Sequence, residues 1–188
     1  MSTDTRLTLE EFLSLPETKP GSEYLDGEVM QKSMPTVDHA IIQRLISLVF
    51  GLFLRERPIA DGGTEWRCIF GTPGHELARL PDFALVLRER LRGVRGDEPF
   101  RGAPDFAVEI LSPDDRMSDA LEKVRLYLEH GVRLVWLIDP RTRTVLVWSV
   151  WGLPRQFGED DTLDGGDVFP GFTVRVAEIL PARDFAEA

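Results

Sequence analysis

The sequence predicts an α/β fold: a mixed central β-sheet flanked by helices, with one β-α-β crossover, in a single domain over residues 1–188. Three observations carry this. Between Asp38 and Glu56 the apolar residues Ile41, Ile42, Leu45, Ile46, Val49, Leu52 and Phe53 recur at helical spacing. Residues 105–138 read as strand, loop, helix and strand, and a helical crossover of that kind joins parallel neighbours. Residues 144–150 alternate in the manner of a strand directly after a turn at 139–143, which predicts an antiparallel return. A chain of 188 residues with 43% apolar content can bury one good core.

In chain order, Thr8 begins a Thr-x-x-Glu capping box with Glu11 before Phe12, Leu13 and Leu15, a short helix that Pro16 ends. Residues 24–34 alternate weakly around Gly27 and predict a strand pair or a bulged strand. The long helix follows and stops at Pro58. Strands are expected at Glu65–Phe70 and Asp82–Leu87, paired antiparallel across a turn-rich segment with Gly71, Pro73 and Gly74. The crossover unit comprises strand Asp105–Leu111, the loop Ser112-Pro113-Asp114, helix Asp115–Glu129, a stop at Gly131 and strand Val132–Ile138. After Gly158 the chain is acidic and glycine-rich as far as Phe169-Pro170-Gly171-Phe172, and Val174, Val176 and Ile179 then indicate a closing strand and short helix.

The formal charge of −10 opposes binding to polyanions, because such binding gains affinity by neutralising phosphates. The one cysteine, Cys68, rules out an internal disulfide or a multi-thiolate zinc site, and reads as a small buried hydrophobe. No leader pattern opens the chain, and no apolar run approaches the roughly 20 residues of a membrane span; the expectation is a cytoplasmic protein without membrane contact.

Glu109 is the most informative residue. It interrupts the apolar run Phe106, Ala107, Val108, Ile110, Leu111, and the two-residue period puts it on one face with Asp105, Ala107 and Leu111. A strand covered on both faces must neutralise, pair or metallate such a carboxylate, so a site and a structural ion pair with arginine are both open. Asp82 opens another strand after Pro81 and could offer a second oxygen donor of the kind Mg²⁺ requires, although Pro-Asp is also a common turn dipeptide. Lys123 falls at the edge of the apolar face of the crossover helix led by Leu121, Val124 and Leu128, a position equally suited to reaching a site or solvating the helix. His39 lies in the first turn of the long helix, where the helix dipole favours a neutral imidazole able to contact a metal-bound water or a phosphate. Glu23 and Glu28 flank a turn-like segment, where acids are usually solvated.

Taken in order, the segments Ser22-Glu23-Tyr24-Leu25-Asp26-Gly27-Glu28, Asp38-His39, Pro81-Asp82, Gly102 to Pro113 with Val108-Glu109-Ile110-Leu111-Ser112-Pro113, Glu122-Lys123 through Tyr127, and Gly131-Val132 to Asp139-Pro140 resemble the Uma-type family of endonucleases in the PD-(D/E)XK, restriction-endonuclease-like superfamily. The resemblance runs from about residue 7 to 180. It implies a restriction-endonuclease-like core, with Asp82 and Glu109 as ligands of Mg²⁺ or Mn²⁺ and the Ile110 carbonyl as a further ligand. Lys123 would orient or activate water, and Glu23 and His39 would be accessory. The chain departs from the superfamily motif where a lysine is expected two residues after Glu109: Leu111 stands there, and Lys123 on the helix would take its place.

The expected reaction is metal-assisted hydrolysis of DNA phosphodiesters. Grip on DNA is assigned to the segment bearing Arg88, Arg90, Arg92, Arg95 and Arg101, which directly follows the Asp82 strand; a solvated loop is the plain alternative. By analogy with enzymes that cut two strands, a homodimer is expected. Two rivals are a catalytically silent assembly module, dimerising through Trp148, Trp151 and Phe157, and a hydrolase of small phosphate esters that needs no basic groove.

Overall fold

The computed structural model describes residues 6–150 and 152–182. Helix α1 (Leu9–Ser14) carries the capping box foreseen between Thr8 and Glu11, and is followed by strands β1 (Ser22–Leu25) and β2 (Glu28–Gln31). Asp26 and Gly27 both have positive φ, 45° and 94°, the mirror-image turn whose twist matches a two-residue hairpin. Helix α2 (Val37–Glu56) is capped by the Thr36 side chain, which accepts from the His39 amide. The chain continues as β3 (Ala60–Gly63), β4 (Cys68–Thr72), β5 (His75–Arg79), β6 (Phe83–Leu87), β7 (Phe100–Arg101) and β8 (Phe106–Ile110). Helix α3 (Met117–Glu129), β9 (Leu134–Asp139) and β10 (Thr144–Ser149) complete the crossover and its return, and β11 (Arg155–Phe157), β12 (Thr162–Asp164) and β13 (Thr173–Arg175) precede a short 3₁₀ turn at Val176–Ile179.

These strands form a mixed six-stranded sheet in the order β11-β10-β9-β8-β6-β3, a five-stranded sheet in the order β2-β1-β5-β4-β7 and a two-stranded pair of β12 with β13. The six-stranded sheet is the central layer. Its β8 and β9 are parallel and its β9 and β10 antiparallel, as the sequence predicts. Phe106, Val108 and Ile110 point to one face, where they pack with Ile42, Ile46 and Phe50 of α2 and with Phe169 and Phe172 of the C-terminal segment. Ala107 and Leu111 point to the other, against Val124 and Tyr127 of α3 and Cys68, Phe70 and Leu77 of the five-stranded sheet. Glu109 therefore lies on the α3 face, where the period placed it.

The expected pairing of residues 65–70 with 82–87 does not occur. Pro73 and Gly74 close a hairpin between β4 and β5, which takes β4 into the five-stranded sheet and leaves β6 between β3 and β8. The Ala-Asp-Gly-Gly of β3 has the composition of a turn, and its pairing with β6 supplies what its propensity lacks. Helix α3 starts two residues after the expected Asp115, because that side chain accepts the Ser112 amide at 2.8 Å and holds the loop instead. Strand β9 starts after Val132, whose amide closes the helix end on the Tyr127 carbonyl, with Gly131 at φ 92°.

By length and composition α2 is apolar enough to cross a membrane, with a mean hydropathy of 1.6, although polar and charged residues interrupt its apolar run. His39, Ile42, Ile46 and Phe50 bury its inner side in the core, while Val37, Leu48 and Leu52 are exposed on its outer side. Phe157 belongs to the core and is not the exposed residue expected, Trp148 is half-buried and packs partly against the α3 side, and Trp151 lies outside the described residues.

Cys68 is fully buried, and burial pushes its thiol up to about 12. Native protein at pH 8 is therefore expected to react with a thiol reagent only as fast as it opens, and labelling within minutes without denaturant would contradict this placement.

Candidate active site

Two neighbouring strands deliver the central carboxylates. The register Phe83↔Val108 between β6 and β8 sets Asp82, one residue before β6, beside Glu109. Both side chains are buried, and each is held by specific donors. Asp82 Oδ1 accepts from Lys32 Nζ at 2.6 Å and faces His39 Nε2 at 3.3 Å, while Oδ2 accepts the Ile110 amide at 2.8 Å. Glu109 Oε1 accepts the Tyr127 hydroxyl at 2.6 Å and Oε2 faces Lys123 Nζ at 3.4 Å.

Glu23 joins the same cluster from the other sheet. The pairing Tyr24↔Ala78 sets it beside Arg79, whose Nη1 donates to Oε2 at 3.0 Å; the Leu80 amide donates to Oε1 at 3.0 Å, and Lys123 Nζ stands 3.2 Å from Oε2. Lys123 thus bridges Glu109 and Glu23, which settles the position that helix geometry left undecided. Its side chain is 28% exposed, more than the 9% of Lys32.

Burial opposes charge on every carboxylate here, and the neighbours decide the outcome. For Asp82, burial is outweighed by the hydrogen bond and charge from His39 and Lys32, and the group is held well below the usual range. For Glu23, burial is outweighed by Lys123, Arg79 and the Leu80 amide, so it too is lowered. For Glu109 burial prevails over Lys123, and the nearby Asp82 charge adds to it, so its carboxyl is raised. Burial and the Glu109 charge push Tyr127 well above an ordinary phenol, which makes its hydroxyl a proton-bearing donor that orients Glu109.

A cavity of about 200 Å³ is lined by Glu23, Lys32, His39, Asp82, Glu109, Ile110 and Lys123. A second, of about 190 Å³, reaches Glu109 and Lys123 past Asp115 and Arg116. Among the described residues no group of three or more His, Cys, Asp or Glu side chains is arranged to hold a metal ion. What the site offers is the hard oxygen donors of Glu23, Asp82 and Glu109, a donor type that suits an ion retaining several waters, such as Mg²⁺, better than one needing an all-protein cage.

The arginine-rich segment does not flank these cavities, contrary to expectation. Strand β6 leads away from Asp82, so the segment starts at its far end, roughly 17 Å on at the rise of an extended strand. There Arg88 pairs with Asp61, Arg90 with Asp105, and Arg95 with Asp97 and Glu98. Arg92 and Arg101 are exposed on the same segment.

Sequence reasoning missed Lys32, Arg79 and the role of Tyr127. Tyr127 follows Lys123 by one helical turn, and that spacing on one face was available as a signal. Lys32 and Arg79 carry no local signal, since only strand pairing brings them to Asp82 and Glu23.

The Uma2 family, described as "Putative restriction endonuclease", matches residues 9–177. The chain belongs to this family. Among solved structures, the Uma2-type chain is similar to a protein described as a putative nuclease belonging to DUF820 from Anabaena variabilis, with 31% identity over 92% of this chain and 97% of that one, at a TM-score of 0.81. The fold is accordingly restriction-endonuclease-like. No curated protein matches the chain.

Proposed function

We propose that this Uma2-family protein is a metal-dependent endonuclease that hydrolyses phosphodiester bonds in DNA. The observation that carries the reading is the convergence in one cavity of Asp82 and Glu109 from adjacent strands with the Lys123 ammonium 3.4 Å from Glu109. Asp82, Glu109 and the Ile110 carbonyl would hold Mg²⁺ or Mn²⁺, which when bound lowers the pKa of a coordinated water and screens phosphate charge. Tyr127 keeps Glu109 aimed into the cavity, and His39 with the Ile110 amide does so for Asp82. Lys123 is placed to donate to the attacking water or to a phosphate oxygen as charge builds there. Water oxygen bonds to phosphorus, the bond to one ester oxygen breaks, and that oxygen leaves with a proton. Arg116, beside the second cavity, and Lys123 would meet the phosphates in place of the distant arginines. Cutting both strands of a duplex would call for two copies, so a homodimer is part of this reading.

Hydrolysis of small phosphate esters is the second reading, favoured by the net charge of −10 and by arginines paired away from the site. Supercoiled plasmid, single-stranded DNA and an aryl phosphate, each with Mg²⁺ or Mn²⁺ and with chelator, separate the two. Metal-dependent nicking or strand cleavage is expected. Turnover of the aryl phosphate alone would move the assignment to the second reading, and no turnover of any substrate would remove both.

Lys123→Met is expected to lower the cleavage rate by about 10²–10³-fold while divalent-ion binding is retained, as befits a group that acts on the developing charge. Loss of metal binding in that variant would instead mean that Lys123 only assembles the carboxylates.

A further inference from the structure

Lys32 stands in an unusual place. It follows β2, and its ammonium, with a side chain only 9% exposed, is fixed by the Leu80 carbonyl at 2.7 Å and by Asp82 Oδ1 at 2.6 Å. Glu65, at 3.9 Å, is a more distant third neighbour. A carboxylate has about four lone-pair positions. On Asp82 the two of Oδ1 are taken by Lys32 and His39, and one on Oδ2 by the Ile110 amide. Little of this ligand is left for a metal while Lys32 stays.

The charges say the same. The buried carboxylates Glu23, Asp82 and Glu109 are matched by Lys32, Arg79 and Lys123, so this cluster is close to neutral before any divalent ion enters it. A divalent ion held by Asp82 and an ammonium on the same oxygen would repel each other at short range in a poorly screened cavity.

We propose that Lys32 is a resident cation of the site: its ammonium fills the position on Asp82 that a divalent ion would take, keeps the metal-free carboxylates assembled, and is displaced when metal binds. The inference rests on the reading of Asp82 and Glu109 as metal ligands. Its consequence is that this protein binds Mg²⁺ and Mn²⁺ more weakly than its two carboxylates would allow, so that occupancy follows the ambient ion concentration.

Calorimetric titration of Mn²⁺ into wild type, Lys32→Met, Lys32→Gln and Lys32→Arg tests this, alongside thermal melting with chelator and with Mn²⁺. Lys32→Met is expected to bind Mn²⁺ about tenfold more tightly or better. Its metal-free form is expected to melt lower than wild type, and the rise in melting temperature on adding Mn²⁺ to be larger. Lys32→Arg, which keeps the charge, should retain the weak wild-type affinity. If Lys32→Met fails to fold, Lys32→Gln keeps a neutral donor for Asp82 and should show the same tightening. Binding in the Met and Gln variants no tighter than in wild type overturns the role of Lys32 while leaving the metal site standing. Absence of Mn²⁺ binding in all four proteins overturns both.

Discussion

Glu109→Gln is expected to abolish measurable Mg²⁺ or Mn²⁺ binding and to reduce phosphodiester cleavage on the order of 10³-fold or more. The substitution keeps the shape of the side chain and an oxygen for the Tyr127 hydroxyl, so it removes charge and little else. Asp82 cannot compensate, because a single carboxylate for which Lys32, His39 and the Ile110 amide compete is a poor sole anchor for a divalent ion. The fold should tolerate the change. Burial raises the Glu109 carboxyl, Lys123 opposes that, and Asp82 reinforces it. A carboxyl raised in the folded state binds its proton more tightly there than in the unfolded chain. Ionising it therefore takes stability from the metal-free protein as pH rises from the unfolded glutamate range through the raised value. Glutamine removes that loss, and the variant should melt no lower than wild type at neutral pH without metal. Calorimetry with Mn²⁺ and a plasmid-nicking assay check the two halves; metal affinity within threefold of wild type would show that Glu109 is no ligand.

Phe50→Ala should lower the unfolding free energy by about 3–5 kcal/mol, a large part of the roughly 5–15 kcal/mol that holds a domain of this kind together. Phe50 is fully buried at the centre of an aromatic cluster: its ring stacks on Phe172 at 4.1 Å and meets Phe83, Phe106, Trp136 and Phe169 at 5.0–5.9 Å. Alanine would leave a cavity bounded by α2, the central sheet and the C-terminal segment together, so no single element can move to fill it. Denaturant unfolding should show a lower midpoint with an unchanged slope. A loss under about 1 kcal/mol would mean that the cluster repacks freely.

Residues that act within one element were legible early. The alternation in residues 105–111 put Glu109 on the face opposite Phe106, Val108 and Ile110, and the structure divides them between two cores in that way. The crossover helix, the parallel pairing of β8 with β9 and the return of β10 likewise followed from local period and from the need of a strand-helix-strand unit to close on itself. The arginine-rich segment shows the limit. Adjacent to Asp82 in sequence, it lies a strand's length away in space, because an extended strand separates its two ends by its whole length.

The sequence by itself determined the α/β architecture of the central sheet, the buried position of Glu109 and, through resemblance, the family to which the chain belongs. Only the tertiary structure decided how β4 and β6 are shared between two sheets, that Lys123 bridges Glu109 and Glu23, and that Lys32 occupies Asp82. The reason is the range of the forces involved. Periodicity and capping are written within a few residues of one another, whereas a buried charge is neutralised by whichever partner strand pairing brings near, and Lys32 and Asp82 are 50 residues apart along the chain.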